Sequence, residues 1–344
     1  MRRPDTASLA TVSQPFIEDW LSALRRCSAE AEMAGFLERS GLGAIHDQPG
    51  ARVTLDQIVR LYKIAAVETG DEMTGLWSRP IRHRTLQHLL ATVRESGSLP
   101  SALHRFSTFW NLLLDDFQFE LRTGAAQIDL MLLPQGDDQV QRFGHMLILK
   151  LAHGLLSWLA GHEVPVRAVH FAFDRPSFAQ DYSVIFPAPV HFDASASGLS
   201  FDLAQLSPPQ TRSSAEMDAF LARAPRDWIF TSYHEHSQSL RVRAFLFRSD
   251  WVGCSLSDTA QALGMSRRTL TRRMEEDGTS FQAIKDALRR DIAIRDLREG
   301  RKSIEEISQD VGFSSAANFH RAFRRWTGST PRSYRSGAER ASTV

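Results

Sequence analysis

Cysteine is scarce in this chain of 344 residues: there are two, Cys27 and Cys254, far apart. Two distant thiols cannot frame a disulfide scaffold, and they suit a reducing cytoplasm. No Cys-x-x-Cys pair occurs, and the 12 histidines show no zinc-enzyme spacing, with His83 and His88 five apart and His234 and His236 two apart. A Gly-rich phosphate loop and a Gly-x-Ser-x-Gly elbow are missing too, so neither nucleotide cradling nor serine hydrolysis is indicated. No catalytic residue, metal or cofactor is therefore assigned, and the chain is read as a non-enzyme. Long apolar runs are also lacking. The stretch from Met146 to Ala160 is interrupted by Lys150 and His153 and falls short of the roughly 20 residues that cross a bilayer. The start, Met1-Arg2-Arg3-Pro4-Asp5, has no apolar h-region, so neither a secretory signal nor a membrane partner is expected.

Net charge is nearly absent as well, at +1, but it is unevenly placed. From Gly253 onward 17 basic residues face 12 acidic ones, a net of +5, while the rest of the chain has 24 against 28, a net of −4. A basic C-terminal module suits nucleic acid; an acidic N-terminal one suits a small ligand or a protein partner. The length suggests two or three domains, and the 42% hydrophobic content allows sizeable cores.

What is present is most pointed near the C-terminus. Phe319, Phe323 and Trp326 recur at four and three, which lines one face of a helix, while Ser315, Asn318, Arg321 and Arg325 take the other. Ahead of it Ile304, Ile307 and Val311 stripe a short helix that Ser303 and Glu306 open as a capping box. Gly312 makes the tight turn between them. Short helix, Gly-containing turn and polar-faced helix form a helix-turn-helix. The unit occurs once before. Leu256, Ala260, Leu263 and Gly264 fall 48 residues ahead of Ile304, Ser308, Val311 and Gly312, and Leu270 and Met274 fall 49 ahead of Phe319 and Phe323. The small residues Ala260 and Ser308, four before each Gly, let the two helices of a unit cross closely.

Between the units Phe281, Ile284, Leu288 and Ile292 stripe a connecting helix that ends near Gly300. A helix of that size is roughly 27 Å long at 1.5 Å per residue, comparable with the roughly 34 Å between successive major-groove faces of B-DNA. The outward positions of the two reading helices are Arg267, Arg268, Thr271 and Arg272 in the first, and Ser315, Ala317, Asn318 and Arg321 in the second. Arginine can donate a bidentate pair to guanine, and threonine can meet a thymine methyl or a base edge. Ser266 and Ser314 stand where each reading helix starts and can cap it and face a phosphate. A solvated basic face is the alternative for the arginines. Ala316 and Ala317 are short, so the second helix leans on phosphate and shape contacts.

The run Gly312, Phe319, Arg321, Phe323, Gly328, Thr330-Pro331 and Tyr334-Arg335 closely resembles the C-terminal signature of AraC/XylS-type transcription regulators, over roughly residues 236 to 336. The region before it is similar to the arabinose-binding-type sensor domain of one branch of that family, through Gly35-Phe36-Leu37, Val53-Thr54-Leu55-Asp56-Gln57 and Glu68-Thr69-Gly70-Asp71. The resemblance implies a cytoplasmic regulator, an activator, that binds double-stranded promoter DNA, senses a small-molecule effector, forms a homodimer and meets RNA polymerase. It places Arg268, Thr271 and Arg272 at base-reading positions, and Arg321 stands where many relatives carry arginine.

The N-terminal region reads as mixed. Phe16 to Arg39 suggests one or two helices stopped by Gly41 and Gly43. Thr54 and Gln57 cap a helix that Gly70 or Gly75 closes, and further helices run from Thr85 to Glu95 and from Ser101 to Leu114. The period then changes to two: Phe117, Phe119 and Leu121, then Ile128, Leu130 and Leu132, flank Thr123-Gly124 as a β-hairpin. A helix from about Val140 to Ala160 follows, with strands at Val166–Phe173, Val190–Phe192 and Gly198–Leu203. The apolar stripe of the Val140–Ala160 helix can serve a dimer contact or pack on the hairpin of its own subunit. Arg79, Arg82, His83 and Arg84 form a cationic patch in which Arg82 and Arg84 can receive an effector's carboxylate or phosphate; a salt-bridged surface cluster is the alternative. Trp110 can line a pocket or sit in the core.

The fold class is thus an α+β N-terminal sensor domain followed by an all-α C-terminal domain with two helix-turn-helix units. Residues 1–14 are read as a disordered tail, 15–225 as the effector-binding and dimerisation domain, 226–236 as a linker, 237–336 as the DNA-binding domain and 337–344 as a tail. Leu240, Ala244 and Phe247 suggest a lead-in helix to the last domain, and a fragment beginning there is expected to fold unaided. Two rivals stay open: control by a protein partner, which metabolite thermal-shift screening would separate, and a DNA-repair enzyme built on Cys27, which a methyl-transfer assay would reveal.

Overall fold

The computed structural model describes residues 11–43, 52–135, 141–186, 188–206, 208–229, 238–249, 251, 254–276 and 279–341. In chain order they form β1 (Thr11–Ser13), α1 (Gln14–Cys27), α2 (Glu30–Ser40), β2 (Arg52–Thr54), α3 (Leu55–Thr69), α4 (Thr85–Arg94) and α5 (Leu99–Leu113). Next come β3 (Phe117–Thr123), β4 (Gln127–Pro134), α6 (Arg142–Ala160), β5 (Ala168–His170), α7 (Tyr182–Ile185), β6 (Val190–His191), β7 (Ser197–Asp202), α8 (Ser214–Ala222) and α9 (Arg226–Ile229). The rest is helical: α10 (Gln238–Arg248), α11 (Leu256–Ala262), α12 (Arg267–Glu276), α13 (Phe281–Glu299), α14 (Ile304–Asp310), α15 (Ala316–Thr327) and α16 (Pro331–Ala341). Two compact units emerge, one of residues 16–33 and 62–234, the other of residues 1–15, 34–61 and 235–344.

The first unit is built on a sheet in the order β3-β4-β7-β5-β6, antiparallel except for the β5–β6 pair. The hairpin β3–β4 pairs Phe117 with Pro134 through to Thr123 with Ile128, as the period-two pattern requires. Helix α6 is the core. Every residue from Phe143 to Ala160 is buried, against α5, α9 and β7 among others. It is long and apolar enough to cross a membrane by length and composition, yet its apolar surface is wholly covered inside this unit. Its stripe therefore packs within its own subunit, and no face is left over for a dimer contact. At Gly154 a Cβ would lie 2.6 Å from the Cα of Trp228, so only glycine lets α9 cross there. Residues 226–229, the start of the stretch read as a linker, thus form a helix with Trp228 and Ile229 buried; residues 230–236 lie outside the described residues.

In the second unit β1 pairs antiparallel with β2, Thr11 opposite Thr54. Strand β1 falls in the stretch read as a disordered tail; three residues are too few to show a period, and they are ordered by a partner 41 positions away. Thr54 and Gln57 close the capping box of α3, with Gln57 N–H donating to Thr54 Oγ1 at 3.2 Å and Thr54 N–H to Gln57 Oε1 at 2.9 Å. Helix α13 runs through the helical part of the unit. Ile284, Leu288 and Ile292 are buried as their spacing predicts, and Asp291, Ala293, Ile294, Asp296 and Leu297 are buried too, because α10, α14 and α16 all pack on this helix. Asp291, 2% exposed, accepts from Arg243 at 2.9 Å, from Thr11 Oγ1 at 2.6 Å and from Arg290 at 3.1 Å. Arg52 in turn donates to Thr11 O at 2.6 Å. A buried carboxylate satisfied this way fixes its neighbours. It turns Arg243 inward, so α10 buries Val242 and Leu246, whereas Ala244 and Phe247 are half-buried.

Candidate nucleic-acid interface and effector cleft

Each helix-turn-helix starts from a capping box. Ser255 Oγ accepts from Asp258 N–H at 3.1 Å and Ser303 Oγ from Glu306 N–H at 3.1 Å; each carboxylate returns to its serine. Those serine donors hold the Asp258 and Glu306 carboxyls below their ordinary values. Ala260 and Ser308 are buried where the paired helices cross, and Gly264 (φ +70°) and Gly312 (φ +75°) make the turns.

The reading helices are held from behind and open in front. In α12 Leu270 and Met274 are buried, Arg267, Arg268, Arg272 and Arg273 are exposed, and Thr271 is half-buried. Ser266 Oγ caps this helix by accepting from Thr269 N–H at 3.1 Å. In α15 Phe319 and Phe323 are buried and Trp326 is half-buried, as the aromatic stripe requires. The cap is Ser315, which accepts from Asn318 N–H at 3.2 Å, and not Ser314. The extra residue after the second turn shifts the helix start by one, so Ser315 is the counterpart of Ser266. Ser314, Ser315, Ala317, Asn318 and Arg321 are all exposed. Arg321 donates to Asn318 Oδ1 at 2.6 Å, which aligns the two polar side chains on this face.

The turn of the second unit is braced. The Arg289 guanidinium on α13 donates to Gly312 O at 3.0 Å and lies over the rings of Trp251 and Phe313, at 5.0 and 4.8 Å from their centroids. Trp251 Nε1 donates to Asp310 O at 2.7 Å. Among the described residues no such cluster surrounds Gly264, and nothing lies within 4 Å of its missing Cβ. Spacing alone does not reveal this brace, since its members lie 59 residues apart at the widest hydrogen bond.

In the other unit Arg82 and Arg84 are exposed at the start of α4, near Glu72. Glu72 accepts from Arg84 N–H at 2.7 Å and from Leu86 N–H at 2.8 Å, and His83 lies 3.7 Å from it. Arg79 pairs with Asp115 at 2.5 Å. Trp110 is fully buried against Phe106 and Phe109. None of Arg82, Arg84 and Trp110 lines the large cleft of this unit, which the sequence reading missed. That cleft has a volume of about 1240 Å³ and collects Asp19, Arg26 and Cys27 from α1, Trp77 from a loop, and Arg142 and His145 from the first turn of α6. Arg142 and Asp19 form a bidentate pair at 2.7 and 2.8 Å across 123 positions, a distance at which no local pattern operates.

Two family models match the chain. The family model described as the arabinose-binding domain of AraC transcription regulator, N-terminal, matches residues 31–210, and a helix-turn-helix domain model matches residues 259–337. The ornithine utilization regulator of Pseudomonas aeruginosa is 27% identical over 65% of this chain and 64% of its own length. The regulator VqsM of the same organism is 28% identical over 59% of this chain and 62% of its own. The chain thus spans just under two thirds of the length of these relatives. The crystal structure of the Pseudomonas aeruginosa regulator CdpR covers 98% of this chain and 99% of that one at 21% identity, with a TM-score of 0.32.

Proposed function

The chain belongs to the AraC-type transcription regulators, and from that premise we propose that it reads double-stranded promoter DNA with both helix-turn-helix units and regulates transcription there. The observation that carries this reading is the outer face of α12, with four exposed arginines in one helix that Leu270 and Met274 anchor from behind. Arg268, Thr271 and Arg272 meet base edges, and Ser266 and Arg267 meet phosphate. In α15 the Asn318–Arg321 pair makes the polar contacts, with Ser314, Ser315 and Ala317 close against the backbone. Helix α13, with 19 residues and about 28 Å long, spaces the two heads for successive turns of one DNA face.

The region before α10 receives a small-molecule effector and dimerises the regulator, which works in the cytoplasm and meets RNA polymerase as an activator. An effector that binds one arrangement of the chain better shifts its population and so changes DNA occupancy. Two linked copies gain effective concentration on a doubled site. Genome-wide footprinting with the full-length protein tests the reading. Protected sites holding two recognition segments about 34 Å apart are the expected result; equal affinity for promoter and random DNA would overturn it. Sedimentation of the same complexes should give two chains per site, and a one-to-one complex at saturation would remove the dimer.

A further inference from the structure

The cleft in the unit of residues 16–33 and 62–234 constrains the effector's chemistry, on the reading above that this region binds one. Its deepest polar group is His145, 3% exposed, whose Nδ1 lies 2.8 Å from Ser197 Oγ. Ser197 is fully buried and its Oγ already accepts the Ala172 N–H at 3.0 Å. Among the described residues the hydroxyl proton of Ser197 has one acceptor, His145 Nδ1. The imidazole proton therefore sits on Nε2. Burial pushes this ring down to about 3, so it is neutral near pH 7. The Nε2–H of a side chain that lines the cleft thus has no acceptor among the described residues and is free to donate to a ligand.

Charge adds a second constraint. The cleft is lined by four carboxylates, Asp19, Asp71, Asp116 and Asp174, against two guanidinium groups, Arg26 and Arg142. Most are committed. Asp19 pairs with Arg142, Asp71 accepts the N–H groups of Met73, Gly75 and Ile81, and Asp116 accepts the N–H and hydroxyl of Ser78. Asp174 and Arg26 are exposed and make no hydrogen bond or ion pair among the described residues. Among the charged groups of the lining one carboxylate and one guanidinium are therefore open to a ligand, beside the neutral N–H of His145 and the uncharged side chains of Ser22 and Gln135, in a cleft whose lining carries an excess of negative charge.

We propose that this cleft binds a small amino carboxylate, its ammonium on Asp174 and its carboxylate on the Nε2–H of His145 and on Arg26. A ligand with both groups satisfies Asp174, Arg26 and His145 together, whereas a simple anion would meet the excess of carboxylates and a simple amine would leave His145 and Arg26 unmet.

Cys27 makes the proposal testable, because it lines the cleft and is exposed while Cys254 is buried. Maleimide labelling of Cys27 in the full-length protein reads occupancy directly. The probes are 5-aminopentanoate, pentanoate and pentylamine at millimolar concentration. 5-Aminopentanoate should slow labelling about tenfold and the two singly charged analogues about twofold or less, a difference of roughly 1 kcal/mol in occupancy. Asp174→Asn, at an exposed position, should remove the preference for 5-aminopentanoate over pentanoate with the circular dichroism unchanged, and His145→Leu should weaken both carboxylates. Equal protection by all three probes, or none by 5-aminopentanoate, overturns the amino-carboxylate assignment. The sensor reading fails separately, if 5-aminopentanoate protects Cys27 and leaves promoter affinity unchanged.

Discussion

The two helix-turn-helix units share a frame and differ at both of its surfaces. Each has a serine capping box, a small buried residue at the helix crossing and a glycine with positive φ at the turn. In front, α12 presents arginines where α15 presents alanines, Asn318 and a single arginine at the matched position, Arg321. Behind, the second turn is pressed by Trp251 and held by Arg289, whereas the first has open space beside Gly264. The frame is set by short-range bonding and by close approach of two helices, so it tolerates divergence everywhere else. The first unit has the more cationic face, the second the more tightly braced turn.

The largest test of that contrast is the turn glycine. An alanine at either position must adopt left-handed backbone, at about 1–2 kcal/mol. At Gly312 the new Cβ also meets Trp251 Cγ at 2.8 Å, and overpacking of that kind adds about 1–3 kcal/mol. Urea unfolding should therefore show Gly312→Ala losing about 2–5 kcal/mol and Gly264→Ala about 1–2. Equal losses would show that the brace bears no weight.

The next test is in front. Arg268→Ala and Arg272→Ala should each cost about 1–3 kcal/mol at one base position and relax specificity there. Arg321→Ala should instead lower specific and random-DNA affinity alike and reduce the salt slope by about 1, as loss of a phosphate contact does. Competition binding at several salt concentrations separates the two behaviours, and a base-specific loss at Arg321 would make the second unit a reader too.

The smallest effect concerns the caps. Hydrogen bonds from Ser303 hold Glu306 below its ordinary 4.5, and those from Ser255 hold Asp258 below its ordinary 3.8. A carboxyl lowered in the folded state contributes stability above its ordinary value and loses it as the pH falls toward its folded value. Acidification should thus weaken the cap of α14 from about pH 4.5 downward and that of α11 from about pH 3.8. Comparing the urea midpoint of Ser303→Ala with that of the unsubstituted chain tests this, since the gap between them should narrow on acidification. A pH-independent gap would remove the capping-box account.

Much of this could be read without coordinates. The spacing of Phe319, Phe323 and Trp326, the pairs Ser303–Glu306 and Thr54–Gln57, the hairpin around Thr123-Gly124 and the stop at Gly300 all express interactions between residues at most a few positions apart. Helical and extended periodicity project such local preferences directly onto a face. The position of the second cap is legible too: the offset of 49 between the reading helices carries Ser266 to Ser315, whereas the sequence reading assigns the capping residue to the neighbouring Ser314.

The sequence by itself determined the two reading heads, their glycine turns, the connecting helix and the switch from helix to hairpin before residue 117. Tertiary structure alone decided that Thr11 closes a hydrogen bond on Asp291, 280 residues away, that α6 is covered on every side, and that Asp19, Trp77, Arg142 and His145 share one cleft. The physical reason is the range of the forces that choose. Caps, turns and amphipathic stripes are fixed by bonds within a few residues. A buried carboxylate, a covered helix or a cleft depends on which distant surfaces meet, and burial makes each such meeting strongly favourable only once its polar groups have found partners.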